Sequence, residues 1–328
     1  MGRTVDRVTR RGSLVGVTLG LLGCLSMGVS VGQAQQTTSR SGLEAYYGFQ
    51  PLEIYKFDRR IANLLITDLD GDKTDDILIT NNARSRFDLL LSTKDAARAD
   101  APKPKTNELA DDTRMRVRSL PVNKELVSVQ VGEFTGDAKP DIVYYGNPAE
   151  IIILTNLGNG RFDEYKRITS GDGVESPTAL AVADLDRDGD DDLILLAAKD
   201  LVVIRQTEPG KLAEPERLPH TATQPRILKA RDLDGDGGID LAILDTGGDA
   251  PLRIRLSTPG GLLGPERRFK IEPIQAIDYA DMDGKPGDEV LVIEKLSGRA
   301  RVLKLEASGA SAKPADDHLL IQLGAVLE

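Results

Sequence analysis

The sequence is poor in cysteine, histidine and aromatic residues. Its 328 residues include one Cys, two His and no Trp, and aromatic residues make up only 4%. The single cysteine, Cys24, lies close to the N-terminus, so we expect no disulfide in the rest of the chain. The shortage of aromatic rings disfavours a sugar-binding surface built from flat faces.

Catalytic motifs are equally scarce. Neither His220 nor His318 belongs to a Ser/His/Asp or HExxH pattern, and the sequence contains no glycine-rich phosphate loop. We interpret both histidines as surface or loop residues without a role and predict that the chain is not an enzyme. The pair Tyr144–Tyr145 is interpreted as strand packing, with a ligand site on one face of the fold as the alternative.

The chain is acidic but contains enough apolar residues for a core. Asp and Glu total 52 against 42 Lys and Arg, which gives a net charge of −10, and 40% of the residues are hydrophobic. An acidic protein repels phosphate backbones and anionic lipids, so we expect no nucleic-acid partner. The acidic residues concentrate in a few short loops.

The N-terminus resembles an export signal. A basic stretch, Arg3 to Arg11, precedes the apolar stretch Leu14–Val31 and the small residue Ala34. We predict a signal peptide over 1–34, a linker over 35–44 and one domain over 45–328, located outside the cytoplasm as a secreted, periplasmic or cell-envelope protein. Two alternatives stay open, because Leu21-Leu-Gly-Cys24 resembles a lipobox that would place a lipid on Cys24, and the apolar stretch could remain as an uncleaved anchor.

One acidic loop recurs five times. Its clearest copy is Asp184-Leu-Asp-Arg-Asp-Gly-Asp-Asp-Asp192-Leu, and the copies begin at residues 68, 133, 184, 232 and 281. A step near fifty residues suits the four-stranded blade of a β-propeller. The longer first step contains the non-periodic segment 94–113, which we interpret as a solvated insertion in one blade.

Short apolar segments rich in Ile, Leu and Val flank every copy and predict strands. The predicted fold is therefore an all-β propeller of four-stranded blades with five recognisable repeats, and a sixth or seventh blade stays open. We expect the segment 48–57 to supply the fourth strand of the last blade and so to close the ring. The tail 309–328 either belongs to a further blade or packs under the ring.

The loop pattern Asp-x-Asp-x-Asp-Gly-x-x-Asp-Leu between two strands resembles the FG-GAP/VCBS repeat of integrin-type propellers and many secreted bacterial proteins. The resemblance extends over about residues 45–306. It implies a calcium-binding propeller that acts as a monomeric interaction or scaffold module for a protein or envelope ligand. Because some polysaccharide lyases carry the same repeat, a lyase-like enzyme is one alternative, and a lectin is another.

The chemistry of the loops points to Ca²⁺, which takes six to eight oxygen ligands. Carboxylates at alternate positions of a tight loop converge on one point, and backbone carbonyls complete the set. The alternative is a hairpin turn in which each Asp caps its own backbone. The predicted ligands are Asp68, Asp70, Asp72, the Thr74 carbonyl and Asp76; Asp184, Asp186, Asp188, the Asp190 carbonyl and Asp192; and Asp232, Asp234, Asp236, the Gly238 carbonyl and Asp240.

The remaining two copies have lost acids. The fifth offers Asp281, Asp283 and Glu289 but places Lys285 where an acid belongs, so either a weaker metal site or an internal lysine cation is expected. The second begins with Glu133 and carries Thr135 in the next ligand position, which favours a metal-free structural turn.

Overall fold

The computed structural model describes residues 55–92, 115–258 and 260–305, together with the backbone of the strand Gly324–Val326. The chain divides into two units, Met1–Leu52 and Glu53–Glu328, and all the described residues belong to the second. The predicted signal peptide, the linker, Cys24, His318 and the insertion 94–113 lie outside the described residues. Among those that are described, none forms a helix long and apolar enough to cross a membrane.

The described residues form an all-β fold, without helices, of five four-stranded antiparallel sheets arranged as a five-bladed propeller. Blade 1 contains β1 (Ile61–Thr67), β2 (Asp76–Asn81), β3 (Arg86–Ser92) and β4 (Met115–Pro121). Blade 2 contains β5 (Glu125–Gly132), β6 (Asp141–Asn147), β7 (Glu150–Asn156) and β8 (Phe162–Thr169). In both of these blades the four strands are adjacent in the sheet in the same order as in the sequence.

The last three blades repeat this arrangement. Blade 3 is built from β9 (Leu180–Ala183), β10 (Asp192–Leu196), β11 (Asp200–Ile204) and β14 (Glu216–Pro219), with a small ribbon of β12 (Gln206–Glu208) and β13 (Lys211–Leu212) before its last strand. Blade 4 is built from β15 (Pro225–Arg231), β16 (Asp240–Asp245), β17 (Leu252–Arg255) and β18 (Arg267–Phe269). Blade 5 is built from β19 (Ile274–Ala280), β20 (Glu289–Glu294), β21 (Ala300–Lys304) and β22 (Gly324–Val326).

The core lies between consecutive blades. The middle strands β2 and β10 are buried along almost their whole length, whereas the outer strands β4 and β8 alternate between half-buried and exposed residues. A middle strand is covered by side chains on both faces, so its sequence is continuously apolar, and an outer strand faces solvent on one side. Phe87 and Tyr144 meet edge-to-face with ring centroids 5.4 Å apart where blades 1 and 2 pack together.

The end of the last blade differs from the prediction. The segment 48–57 was expected to form its fourth strand, but that strand is β22, which pairs antiparallel with β21. Residues 55–57, the described part of the expected strand, are not in a strand. The prediction was wrong because β22 is separated from β21 by only 19 residues, and a loop of that length costs less entropy to close than one that joins the two ends of the chain. The described part of the tail, Gly324–Val326, thus completes the fifth blade and does not belong to a further one.

Every acidic loop connects the first and second strands of its blade, and contacts between neighbouring loops follow one face of the propeller. Glu133 N of the second loop donates to Asp191 Oδ2 of the third at 2.8 Å. Arg187 of the third loop pairs with Asp236 of the fourth at 2.7 Å. Asp288 N of the fifth loop donates to the Asp232 carbonyl at 2.7 Å. The face formed by these loops is called the loop face below.

Candidate metal centres

Four of the five loops bring three carboxylates to one point. In each, one oxygen from every member lies within 4.8 Å of the others. The four clusters are Asp68, Asp70 and Asp76; Asp184, Asp186 and Asp188; Asp232, Asp234 and Asp240; and Asp281, Asp283 and Glu289. The second loop, which carries Thr135 in place of the second acid, is not among the clusters found in the described residues.

The first acid of each loop folds the turn. Asp68 Oδ1 accepts hydrogen bonds from Gly71 N at 2.8 Å and Asp72 N at 3.2 Å, and its Oδ2 accepts one from Lys73 N at 2.8 Å. Glu133 Oε1 does the same in the second loop, where it accepts from the amides of residues 135, 136 and 137. The turn therefore forms with or without a complete set of acids, as an Asp-capped loop does.

The third acid supports the same turn. Asp72 accepts from Thr74 N at 2.8 Å, and Asp188 accepts from Asp190 N at 3.0 Å. Asp236 accepts from Gly238 N at 2.6 Å. Thr74, Asp190 and Gly238, whose carbonyls were predicted as ligands, thus lie at the bend of their loops, and their role toward a metal stays a prediction.

The last acid is buried and ties its loop to the third strand. Asp76 Oδ2 accepts from Leu69 N at 2.8 Å, and its Oδ1 accepts from Ser92 N at 2.7 Å. The same pair of hydrogen bonds recurs at Asp141, Asp192 and Asp240, all of which are fully buried. Three of these residues were predicted only as metal ligands, and their structural role was missed. The recurrence of an acid at Asp141, in a loop that carries Thr135 in place of the second acid, was the available signal.

The second acid has no comparable backbone partner in two of the clusters. Asp70 Oδ1 and Asp186 Oδ1 are buried and accept no hydrogen bond. A buried carboxylate oxygen without a donor is costly, and a cation is the group that would compensate it. The residues of these loops therefore fit a hard divalent cation, which prefers carboxylate oxygens.

Burial and mutual repulsion raise the pKa values of the clustered acids. Burial raises the pKa of Asp192 and of Asp240 to about 6, although two backbone hydrogen bonds to each partly offset the effect. The pKa values of Asp186 and Asp234 are also raised, chiefly by burial and further by neighbouring Asp side chains. A bound cation would favour the charged forms and reverse these shifts.

The carboxylate cluster of the fifth loop already has a lysine ammonium bound to it. Lys304 Nζ, from the end of β21, lies 3.0 Å from Asp283 Oδ1 and 2.7 Å from Glu289 Oε1. Lys285, the residue singled out from the sequence, binds only Asp283 Oδ2 at 3.0 Å, and its side chain is 72% exposed. Hydrogen bonds from Lys285 and Lys304 lower the pKa of Asp283 to about 2, and the Lys304 bond lowers that of Glu289.

The carboxylate cluster of the third loop has a guanidinium group beside it. Arg205 NH1 lies 3.5 Å from both Asp186 Oδ2 and Asp192 Oδ2, and its NH2 donates to the Gly261 carbonyl of blade 4 at 2.5 Å. Asp192, predicted as a ligand, lies outside this cluster, while Asp188 belongs to it. The copy that looked clearest in sequence thus has a partial internal counterion. In blade 1, Arg116 NH2 of β4 lies 3.8 Å from Asp70 Oδ2, a longer contact made by a side chain that is half exposed.

The residues considered for catalysis are part of the packing. His220 was interpreted as a surface or loop residue, but it is buried: its Nε2 lies 2.9 Å from the Ala197 carbonyl, and its Nδ1 accepts from Ala222 N. Tyr144 and Tyr145 are 2% exposed and belong to two different core clusters, and Tyr145 also donates to the Gly173 carbonyl at 3.3 Å. Strand packing therefore accounts for the tyrosine pair.

The comparisons with known proteins agree with this fold. A family model described as an FG-GAP-like repeat matches residues 133–195, from the second loop through most of β10. This stretch carries an FG-GAP-like repeat, as the sequence pattern predicted. No curated protein matches the chain.

Two solved structures were compared with this chain. A structure of an Agrocybe aegerita lectin, reported for its recognition of non-reducing terminal N-acetylglucosamine, aligns over 74% of this chain with 18% identity and a TM-score of 0.50. The alignment spans 62% of the lectin chain, so this chain matches less than two thirds of it. The Photorhabdus luminescens Tc holotoxin pore aligns over 73% of this chain and 11% of its own, with 15% identity and a TM-score of 0.38.

The structural role of the buried acid can be tested at Asp141 without metal. Asp141→Ala removes the acceptor for Phe134 N and Asn156 N, both buried, and should lower the free energy of unfolding by about 2–5 kcal/mol. Asp141→Asn keeps one acceptor and should cost less. Urea unfolding in chelator measures both, with Asp137→Ala in the same loop as the control. Equal stability of Asp141→Ala and the control would contradict the structural role.

A second prediction concerns pH. The pKa of Asp192 and Asp240 is about 6 in the folded protein and near 3.9 in an unfolded chain, so folding takes up protons between these values. In chelator, the stability that these two groups contribute is present below about pH 4 and lost as pH rises through 6. The melting temperature should therefore fall from pH 5 to pH 7.5 by about 2–4 °C per kcal/mol lost.

The matched variant for the pH experiment is Asp192→Asn with Asp240→Asn, which removes both titrations and should flatten the profile. Acids whose pKa is lowered, such as Asp58 and Asp137, act below about pH 4 and do not contribute in this window. Stability in chelator that rises from pH 5 to pH 7.5 would show that the raised pKa values are wrong.

Proposed function

We propose that this protein is a calcium-binding β-propeller that acts as an interaction or scaffold module outside the cytoplasm, and that it is not an enzyme. The observation that carries the proposal is the cluster of three carboxylates repeated in the first, third and fourth loops, with a buried oxygen lacking a donor in two of them. The three carboxylates within such a cluster repel one another unless a cation lies between them.

Calcium suits these loops better than magnesium. Ca²⁺ accepts irregular sets of six to eight oxygens, whereas Mg²⁺ demands near-octahedral geometry and keeps its waters. The acids of each loop come from a bent segment and a strand end, as Asp68, Asp70 and Asp76 do in blade 1. Asp76 uses both oxygens for backbone hydrogen bonds as well, so the site has little freedom to adopt a strict octahedron.

The proposed role of the ion is structural. The last acid connects the loop to the third strand through backbone hydrogen bonds, so an ion held by the first, second and last acids would join the loop to the middle of its blade. Because the loops also contact one another across the loop face, three ions would stiffen one face of the ring. A stiff ring is a suitable platform for a ligand-binding surface.

A groove between blades 1 and 2 is the proposed ligand surface. It has a volume of about 430 Å³ and is lined by Arg118, Ser119, Leu157, Arg161 and Phe162, among others. Its two guanidinium groups outnumber its one carboxylate, Asp163, and together with the exposed apolar carbon they suit an acidic segment of a protein or another anionic ligand. Lectin activity and polysaccharide cleavage are the alternatives that a ligand screen would distinguish.

Calcium should raise the thermal stability. Extracellular calcium modules bind with dissociation constants of roughly 0.1–1 mM. At about 1 mM Ca²⁺ and 0.1 mM affinity, each site adds about 1.4 kcal/mol, so three independent sites add about 4 kcal/mol. The melting temperature should rise by about 10 °C over that in chelator. Mg²⁺ should restore much less of it, and an unchanged curve would overturn the proposal.

Ion counting on loop variants provides the matched control for calcium binding. Asp234→Ala and Asp186→Ala should each remove one bound ion, because each residue belongs to a three-acid cluster. Thr135→Ala, at the equivalent position of the second loop, should remove none. Metal analysis after gel filtration in calcium measures the counts, and equal losses from all three variants would show that the assignment to loops is wrong.

The proposed location outside the cytoplasm rests on the N-terminal sequence and on the need for millimolar calcium at weak sites. Expression in a bacterial host with an export pathway, followed by mass spectrometry of the intact mature protein, tests it. The expected product begins close to residue 35. A lipid mass on Cys24 would identify the lipoprotein alternative, and an intact N-terminus in the cytosolic fraction would contradict export.

A further inference from the structure

One register position of the third strand lies beside the acidic cluster in every blade. The residue after the last acid pairs with a third-strand residue in the same register each time: Ile77 with Leu90, Ile142 with Leu154, Leu193 with Ile204, Leu241 with Arg255 and Val290 with Leu303. The next residue along the third strand therefore approaches the loop. These residues are Leu91, Thr155, Arg205, Leu256 and Lys304.

Side-chain chemistry at this position, called the counterion position below, divides the blades. Leu91 is fully buried in the core between blades 1 and 2, and Leu256 packs against the core of blades 4 and 5. Neither brings a charge to the loop. Arg205 and Lys304, by contrast, turn a cation toward their own acids.

The contacts of Lys304 are those that a bound ion would make. Its ammonium joins the second acid, Asp283, to the last acid, Glu289, at 3.0 and 2.7 Å. The Lys304 side chain is only 22% exposed, so its ammonium is held against these two carboxylates and largely away from solvent. Arg205 replaces an ion less completely. Its NH1 lies 3.5 Å from both Asp186 Oδ2 and Asp192 Oδ2, and its NH2 donates to the Gly261 carbonyl of blade 4.

We infer that, among the four loops with a cluster of three carboxylates, the counterion position decides which bind metal: Lys304 replaces the ion in blade 5, Arg205 weakens binding in blade 3, and the loops of blades 1 and 4 bind most tightly. The inference rests on the proposed calcium binding and assigns its distribution among the blades. The mechanism is competition, because an ammonium and a divalent cation need the same carboxylate oxygens and their charges repel. Blade 5 therefore keeps its loop closed without metal.

The number of acids in a loop and the residue at the counterion position predict different results for one variant of blade 5. Lys285→Asp restores an acid at the position that Asp72, Asp188 and Asp236 occupy in the full loops. If the acids of the loop decide, this single change creates a new site. If the counterion position decides, Lys285→Asp binds no additional ion until Lys304→Met is added.

The experiment compares wild type, Lys285→Asp, and the double variants Lys285→Asp/Lys304→Met and Lys285→Asp/Lys304→Arg. Bound calcium per protein is counted by metal analysis, and melting temperatures are measured in chelator and in calcium. We expect one additional ion only in the variant with Met, together with a lower melting temperature in chelator that calcium restores. The Arg variant keeps the charge and should behave like Lys285→Asp. Arg205→Met, tested separately, should lower the dissociation constant of the third loop at least several-fold.

The outcomes separate this inference from the proposed function. Wild type that binds no calcium overturns the proposed function. Wild type that binds calcium while Lys285→Asp alone gains a further ion, or while the Met double variant gains none, overturns the role of Lys304 and leaves calcium binding intact. Where the Met double variant unfolds in chelator, its ion count is taken in calcium, and the Arg variant shows whether the charge at residue 304 was responsible.

Discussion

Each blade depends on a buried carboxylate that accepts backbone hydrogen bonds from two sides. Asp76, Asp141, Asp192 and Asp240 each bind one amide of their own loop and one at the end of the third strand. Seven of these eight amides are buried and would lose their acceptor without the carboxylate, so an acid is needed at this place whether or not the loop holds metal. Glu289 preserves half of this arrangement, through Met282 N, and gives its other oxygen to Lys304.

Burial disfavours the charged form of the last acid in each loop, and the blades differ in the cation that compensates it. The pKa of Asp192 and Asp240 is raised to about 6, which shows that burial disfavours their charged form. Blade 5 supplies an ammonium and blade 3 a more distant guanidinium, while the loops of blades 1 and 4 have an apolar residue at the counterion position. A divalent cation is the compensation that fits the remaining carboxylates.

The loop face connects local charge balance to the whole ring. Neighbouring loops bind one another through Glu133 and Asp191, Arg187 and Asp236, and Asp288 and the Asp232 carbonyl. A change of charge in one loop therefore alters the electrostatic environment of the neighbouring loop. His220 is also part of the packing, because backbone groups engage both of its ring nitrogens.

The sequence by itself determined the architecture. The repeated acids and the apolar segments beside them predicted five four-stranded repeats and put each loop between two strands, because both signals are local and recur about every fifty residues. The number of blades, for which six or seven had stayed open, was decided by the structure. Tertiary structure alone decided the rest. Lys304 is 15 residues from Glu289 and lies outside the loop pattern, and only strand pairing brings its ammonium to the carboxylates. Likewise, β22 replaces the expected N-terminal strand, since pairing between distant segments depends on chain connection and not on local composition.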